Sequence, residues 1–338
     1  MTASTLREIV LKEAPSGKLT AANFELRTAP MPAPEAGEAL VRVLYISIDA
    51  ANRAWMQGRT YREQVLPGTK MAGGALAEVI TSRDDALRPG DLVEADIGWC
   101  DYAVLPAKLL QKRTRRGPVT HLLSILGITG KTAYFGMLHI GEPQSGETVV
   151  VSAAAGAVGS VAGQLAKSRG ARVIGITGSA EKCTWLTQEL GFDATINYRD
   201  ENVMHALKRE APDGVDVFFD NVGGDIFESV LFRMNTHGRI VCCGAVSQYD
   251  TDTPAHGPRG VPGLIVTKRL KVQGFIVMDF FDRSLQAEAE LAGFAAQGRI
   301  KVAEDIVEGL ENAPHALVGL LGGENVGKRL VHVADPQS

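Results

Sequence analysis

With 338 residues, 45% apolar and 22% charged composition and a net charge of −4, the chain is too long for one ordinary core and has room for two domains. That balance provides no basic field for nucleic acid or an anionic membrane, no apolar run approaches the length of a membrane span, and residues 1–14 lack a signal-peptide core. The four cysteines, Cys100, Cys183, Cys242 and Cys243, show no zinc-ribbon spacing; adjacent Cys242 and Cys243 read as small buried hydrophobes in a strand, and a reducing cytoplasm fits best.

Residues 24–27 and 38–48 alternate like half-buried strands on either side of a proline-rich turn. Paired glycines open a further strand at 71–80, and 87–93 and 100–105 continue the pattern. Many short strands joined by Gly and Pro turns imply a compact β-rich domain, a partly open barrel. The basic run Lys112, Arg113, Arg115 and Arg116 reads as a solvated face. From His121 the texture changes, and residues 122–138 are apolar at helical spacing.

The stretch the chain is organised around is 148–179. Thr148-Val149-Val150-Val151 reads as a buried strand, followed by small residues in the pattern Ala-x-Gly-x-x-Gly across Ala154, Gly156 and Gly159. A helix and a second β-branched strand, 172–177, complete the first unit of a dinucleotide-binding fold. A turn of small residues lets the backbone approach a pyrophosphate, and the positive end of the following helix meets its charge. An NAD site calls for an acid about twenty residues past the turn. Here the strand runs into Gly178 and Ser179, with Lys182 beyond, so a hydrogen-bond donor and a cation favour NADP.

Helices at 179–190, 202–211 and 225–234 alternate with strands at 194–196, 215–220, 239–244 and 271–277. That is α/β, a doubly wound sheet of about six parallel strands. A polar, proline-rich loop at 247–263 leaves the carboxyl end of a strand, where ligands sit in such sheets. A further helix runs to about Gly298. Strands at 300–308 and 327–333 then flank a helix at 313–321 and return to the first domain, giving residues 1–122 plus 300–338 against 123–299.

AAAGAVGSVAGQLAK, TGSAEKC, FDNVGG, GRIVCCGAVSQY, LKVQGFIV and GGENVGK together resemble the medium-chain dehydrogenase/reductase superfamily. Within it they are similar to the zinc-free leukotriene B4 dehydrogenase/prostaglandin reductase and curcumin reductase branch of NADP-dependent alkenal and enone reductases. The resemblance implies a Rossmann sheet with a GroES-like domain and NADPH as cofactor. Ala157, Val158, Gly159 and Ser160 would then cap the pyrophosphate, and Gly178, Ser179, Lys182 and Tyr198 would hold the 2′-phosphate end. Asn221 would line the nicotinamide half. Cys243, Gly244, Ala245, Val246, Ser247, Gln248 and Tyr249, with Phe275, Ile276 and Val277, would bracket the nicotinamide and its ribose, and Asn325 would reach the cofactor from the C-terminal segment. Relatives pair through the edge strand, here 271–277, which implies a homodimer.

Zinc-dependent relatives carry a cysteine near the end of an early strand, a Gly-His-Glu motif and a four-cysteine lobe. Here that strand end reads Ser47-Ile48-Asp49-Ala50 and no Gly-His-Glu occurs, so no metal is expected. Reduction of a conjugated C=C bond suits such a site, because the developing enolate needs hydrogen-bond donors rather than a Lewis acid. Tyr249 is the leading donor, with holding the ribose 2′-hydroxyl as its preferred task; Tyr61 and Asn52 are the secondary candidates. The sequence departs from the family where Asp-Pro-Tyr-Met-Arg is replaced by Asp49-Ala50-Ala51-Asn52-Arg53, and a substrate-side tyrosine is replaced near Thr267. A quinone reductase of the zeta-crystallin kind and a non-catalytic NADP-binding module remain the alternatives to an enone reductase.

Overall fold

A computed structural model describes residues 5–253 and 257–337. In chain order, β1 (Thr5–Leu11) and β2 (Phe24–Pro30) form an antiparallel pair. Then come β3 (Glu38–Ser47), α1 (Ala51–Gln57), β4 (Ala75–Ser82), β5 (Leu92–Ala95), β6 (Tyr102–Pro106) and β7 (Gln111–Lys112). After α2 (Ile128–Phe135), strands and helices alternate: β8 (Thr148–Ser152), α3 (Ala157–Ser168), β9 (Arg172–Thr177), α4 (Ala180–Gln188), β10 (Ala194–Asn197), α5 (Val203–Glu210), β11 (Val215–Asp220), α6 (Gly224–Arg233), β12 (Met234–Cys242), α7 (Val261–Lys268) and β13 (Lys271–Gly274). The chain closes with α8 (Ser284–Ala296), β14 (Glu304–Glu308), α9 (Ala313–Gly322) and β15 (Lys328–His332).

Strands β8 to β13 make a six-stranded, wholly parallel sheet in the order β10-β9-β8-β11-β12-β13. The order reverses between β8 and β11, which opens a crevice at their carboxyl ends. Both faces are covered, as the apolar run of β8 requires. Val149 and Val151 pack with α2, α3 and α8, while Val150 faces the opposite way onto the layer of α5 and α6. All three valines are completely buried, each contributing roughly 1.5–3 kcal/mol.

The second, antiparallel-rich sheet has seven strands, with the path β14-β15-β3-β4-β5-β7 and β6 paired to β3. The C-terminal strands therefore do return to the N-terminal sheet: Leu330 pairs with Ser47 and His332 with Tyr45.

Four expectations about local structure are corrected. Residues 122–138 are not one helix: a 3-10 turn at Val119–Leu122 precedes α2, and a π-helical turn, Gly136–Gly141, follows it. The chain folds back on itself before α2, so closely that a Cβ on Gly130 would lie 1.9 Å from the Ile125 carbonyl oxygen. Arg113 is not solvated: it is 6% exposed, 3.0 Å from Glu288 and 3.4 Å from Glu94, with Lys131 3.4 Å from the same Glu288 carboxylate. The last strand of the parallel sheet stops at Gly274, and Val277 opens a 3-10 helix, Val277–Arg283. Within the expected loop, residues 246–248 form a 3-10 turn and α7 begins at Val261, while 254–256 lie outside the described residues.

Candidate active site

A cleft of about 540 Å³ runs along the carboxyl ends of the parallel strands. Its middle is the turn between β8 and α3. Gly156 caps α3 without a side-chain bond, so the first amides of the helix, at Ala157, Val158 and Gly159, have no intrahelical partner and are free for an anion. Gly159 cannot be larger: a Cβ there would sit 2.4 Å from the Ala153 carbonyl oxygen. Gly159→Ala is therefore expected to cost about 1–3 kcal/mol of stability and to weaken binding of a phosphate ligand at least about tenfold, as read by thermal denaturation and titration. Ser160, one position further, is buried in α3 and does not line the cleft.

At one end, Ser179 caps α4, its hydroxyl oxygen accepting from the Lys182 amide at 3.3 Å. Lys182 and Tyr198 line the cleft there, and the Tyr198 ring passes over Gly178. The sequence reading missed Arg199, whose guanidinium stands 5.9 Å from the Tyr198 ring centroid on the same wall. Both cations are held by the C-terminal end of α9: Lys182 Nζ donates to Gly323 O at 2.6 Å and Arg199 Nη2 to Gly322 O at 3.0 Å. Those carbonyls are the negative end of a helix dipole and orient the two cations side by side. Burial, with Arg199 and Arg329 nearby, lowers the Lys182 ammonium below the ordinary lysine value. A cation directly after Tyr198 was the available signal for Arg199; nothing local marked Leu320–Gly323, which arrives from the far end of the chain.

At the other end lie Asn221, Val246, Ser247 and Thr129, facing Ile48, Asp49 and Ala50 from the end of β3. Asp220, 2% exposed, organises this region. Its carboxylate accepts from Ser152 Oγ at 2.8 Å and from the amides of Val222 and Gly223 at 3.0–3.1 Å. Asn221 is held in turn by its Nδ2 donating to Ser152 O at 2.7 Å and its amide donating to Ser152 Oγ at 2.8 Å. Burial raises the Asp220 carboxyl above its ordinary value, against those donors. Asn325 lines the cleft, its Nδ2 donating to Gly327 O at 2.9 Å, and Gly327 N donates to Ala155 O at 2.8 Å beside the glycine turn.

Other expected residues take supporting places. Cys243 follows β12, its amide donating to Asp220 O at 2.8 Å, and burial pushes its thiol to about 12. Gly244, Ala245 and Gln248 do not line the cleft, and neither does Tyr249. The Tyr249 hydroxyl accepts from Ala245 N at 3.1 Å, which leaves its own proton available to donate. Phe275 packs into the core beside Gly136, Ile276 is 39% exposed and Val277 is buried; none of the three lines the cleft.

Of the secondary donors, Asn52 is fully enclosed. Its Oδ1 accepts from Asp49 N at 2.7 Å and its Nδ2 donates to Ala72 O at 3.1 Å, so it starts α1 rather than facing a substrate. Tyr61 is half-exposed and packs edge-on against Trp55. Burial, with the Asp49 charge nearby, raises its hydroxyl, which keeps it an O–H donor at neutral pH.

Among the described residues no group of three or more His, Cys, Asp or Glu side chains could hold a metal ion. The cation at the end of β3 is the Lys328 ammonium, 2.6 Å from Asp49 Oδ1 and 2.9 Å from Ile48 O. The glycine cradle, the open helix start and the paired cations fit a dinucleotide carrying a 2′-phosphate.

Residues 7–112 match the family model described as the N-terminal domain of oxidoreductase, and residues 157–293 match the one described as zinc-binding dehydrogenase. The chain is 40% identical to prostaglandin reductase 1 of Bos taurus, over 93% of this chain and 95% of that one. It is 37% identical to the NADP(+)-dependent 2-alkenal reductase of Nicotiana tabacum, over 97% of each chain. Among solved structures, CurA from Vibrio vulnificus in complex with NADPH superimposes with a TM-score of 0.93 at 39% identity, covering 98% of this chain and 100% of that one.

Proposed function

Since the chain belongs to the zinc-independent reductase branch of the medium-chain dehydrogenase/reductase superfamily, we infer that it is an NADPH-dependent oxidoreductase that reduces the C=C bond of α,β-unsaturated aldehydes and ketones. The observation that carries the cofactor is the pair Lys182 and Arg199 at the end of the cleft where β9 stops without a carboxylate. When bound, NADPH would supply the hydride for the β-carbon of the substrate, and the resulting enolate would take its α-carbon proton from solvent.

The chain's own residues do the rest. The amides of Ala157, Val158 and Gly159 take the pyrophosphate, and Asn221 fixes the nicotinamide end through Ser152. Tyr249 and Tyr61, neither of which lines the cleft in this structure, are the candidate hydroxyls for the ribose and the developing enolate, where a neutral donor stabilises negative charge. The wall at Ile48, Asp49 and Ala50 receives the substrate. The two-domain division falls at residues 1–122 with 300–338 and at 123–299, supported by β14 and β15 sharing a sheet with β3.

Among the described residues the outer edge of β13 is unpaired, and it carries exposed Val272 with Ile276 just beyond the strand, which supports a homodimer that continues the sheet across a two-fold axis. Light scattering on a size-exclusion column is expected to give twice the chain mass, and Val272→Lys, which sets like charges against each other across the two-fold axis, to give the monomer. Four free thiols and the NADPH requirement fit the cytoplasm.

Purified protein is expected to oxidise NADPH with a short enone, to prefer NADPH to NADH and to be indifferent to EDTA. Turnover of a quinone but not of the enone would overturn the substrate assignment.

A further inference from the structure

Arg53 is 1% exposed and lies in α1, directly after the residues that wall the substrate end of the cleft. Its guanidinium makes two contacts in two directions. Nε donates to Asp250 Oδ1 at 3.0 Å, and Nη2 donates to Gly17 O at 2.8 Å. The amide of Leu19 donates to the same Asp250 oxygen at 2.7 Å. One turn along α1, Gln57 Nε2 donates to Thr251 O at 3.3 Å.

Asp250 and Thr251 belong to the loop that leaves β12 and carries Val246, Ser247 and Tyr249. The near end of that loop is fastened to the parallel sheet: Val246 N donates to Asn221 O at 3.2 Å and Ser247 Oγ to Val222 O at 2.6 Å. One loop is thus gripped at its base by the six-stranded sheet and further out by Arg53 and Gln57 of α1 and by Leu19, between β1 and β2. A charged pair is a poor way to gain bulk stability in an interior, but a guanidinium fork fixes direction as well as distance.

We propose that Arg53 and Asp250 are positioning residues: their ion pair latches the loop bearing Val246, Ser247 and Tyr249 across the cleft and so registers the two sheets at the nicotinamide end. This rests on the assignment of the cleft to NADPH made above. Neither residue touches the reacting atoms, and both act through the loop. Loss of the latch loosens the nicotinamide half and leaves the 2′-phosphate end, built by Lys182 and Arg199, as it was.

Asp250→Asn keeps the shape and removes the charge, and Arg53→Lys keeps a buried cation but loses the fork, so one serves if the other does not fold. Binding of NADPH and of 2′,5′-ADP, which has no nicotinamide half, is measured by titration calorimetry alongside turnover. Both variants are expected to bind NADPH about tenfold or more weakly and to turn over more slowly, with 2′,5′-ADP within about twofold of the parent. The double variant is expected to be no worse than the poorer single one, because the pair acts as a unit. Unchanged NADPH binding and turnover would overturn the proposal. So would equal weakening of both ligands, since the pair would then merely hold the fold. Failure of the enone reading would show as an inactive parent protein, while the ratio of the two affinities would still report on the latch.

Discussion

Asp220→Ala is expected to lower turnover about a hundredfold or more and to destabilise the fold by roughly 3 kcal/mol. The carboxylate is 2% exposed and is the common acceptor for the Ser152 hydroxyl and the amides of Val222 and Gly223. Alanine leaves two amides without their acceptor in a tight turn, at about 1–3 kcal/mol for each buried donor that finds no other partner. It also frees the Ser152 hydroxyl, which accepts from the Asn221 amide, and so loosens one of the two bonds that orient Asn221. The catalytic and structural losses therefore share one cause. Asp220→Asn, which keeps one acceptor oxygen but turns an NH2 group toward a donor, is expected to fall between the two. Calorimetric unfolding and kcat/KM on the same preparations check this, and a variant with parental melting and turnover would remove Asp220 from the account.

The second large effect concerns cofactor choice. The double substitution Lys182→Gln and Arg199→Gln is expected to erase the preference for NADPH over NADH. Each charge-assisted contact to a phosphate is worth about 1.5–3 kcal/mol, so each single variant loses about tenfold in NADPH affinity and the double roughly a hundredfold or more. NADH binding, which has no phosphate at that position, is expected to change little. The same site carries a pH signature. The Lys182 ammonium is lowered by burial, then by Arg199 and Arg329, so it gives up its proton at a lower pH than an ordinary lysine. NADPH affinity should therefore begin to fall on the alkaline side before a free lysine would titrate, while NADH affinity stays flat. Lys182→Gln should remove that inflection. A profile unchanged by the substitution would assign it to another group.

The parallel sheet and the phosphate end were legible because their signals are local. A β-branched strand, a turn of small residues and a helix within 148–168 specify one another, and Lys182 stands one helical turn from the strand end it serves. Residues placed by distant partners were harder to read. Phe275, Ile276 and Val277 look like a continuation of an edge strand, but β13 stops at Gly274 because the chain turns Val277 into the core under α8. Asn52 sits in a motif beside the cleft, yet both ends of its amide are taken by backbone groups of Asp49 and Ala72. Arg113 resembles its exposed neighbours in sequence, and only the tertiary approach of Glu94 and Glu288 makes a buried arginine tolerable there. The carbonyls that steady Lys182 and Arg199 come from α9, more than a hundred residues later, and no pattern near either cation foretells them.

The return of β15 to β3 also sets an order for folding on the ribosome. The six parallel strands and their helices occupy one continuous stretch, so they can assemble as soon as β13 and α8 have emerged. The N-terminal sheet is synthesised first but closes last, because β3 must wait for Leu330, Val331 and His332 to lie beside it. Until then β3 has an open edge, and the glycine turn at Ala155 lacks its contact with Gly327. A nascent chain stalled before residue 328 would hold a finished dinucleotide sheet next to an incomplete barrel, and that interval is when this protein would most need a chaperone.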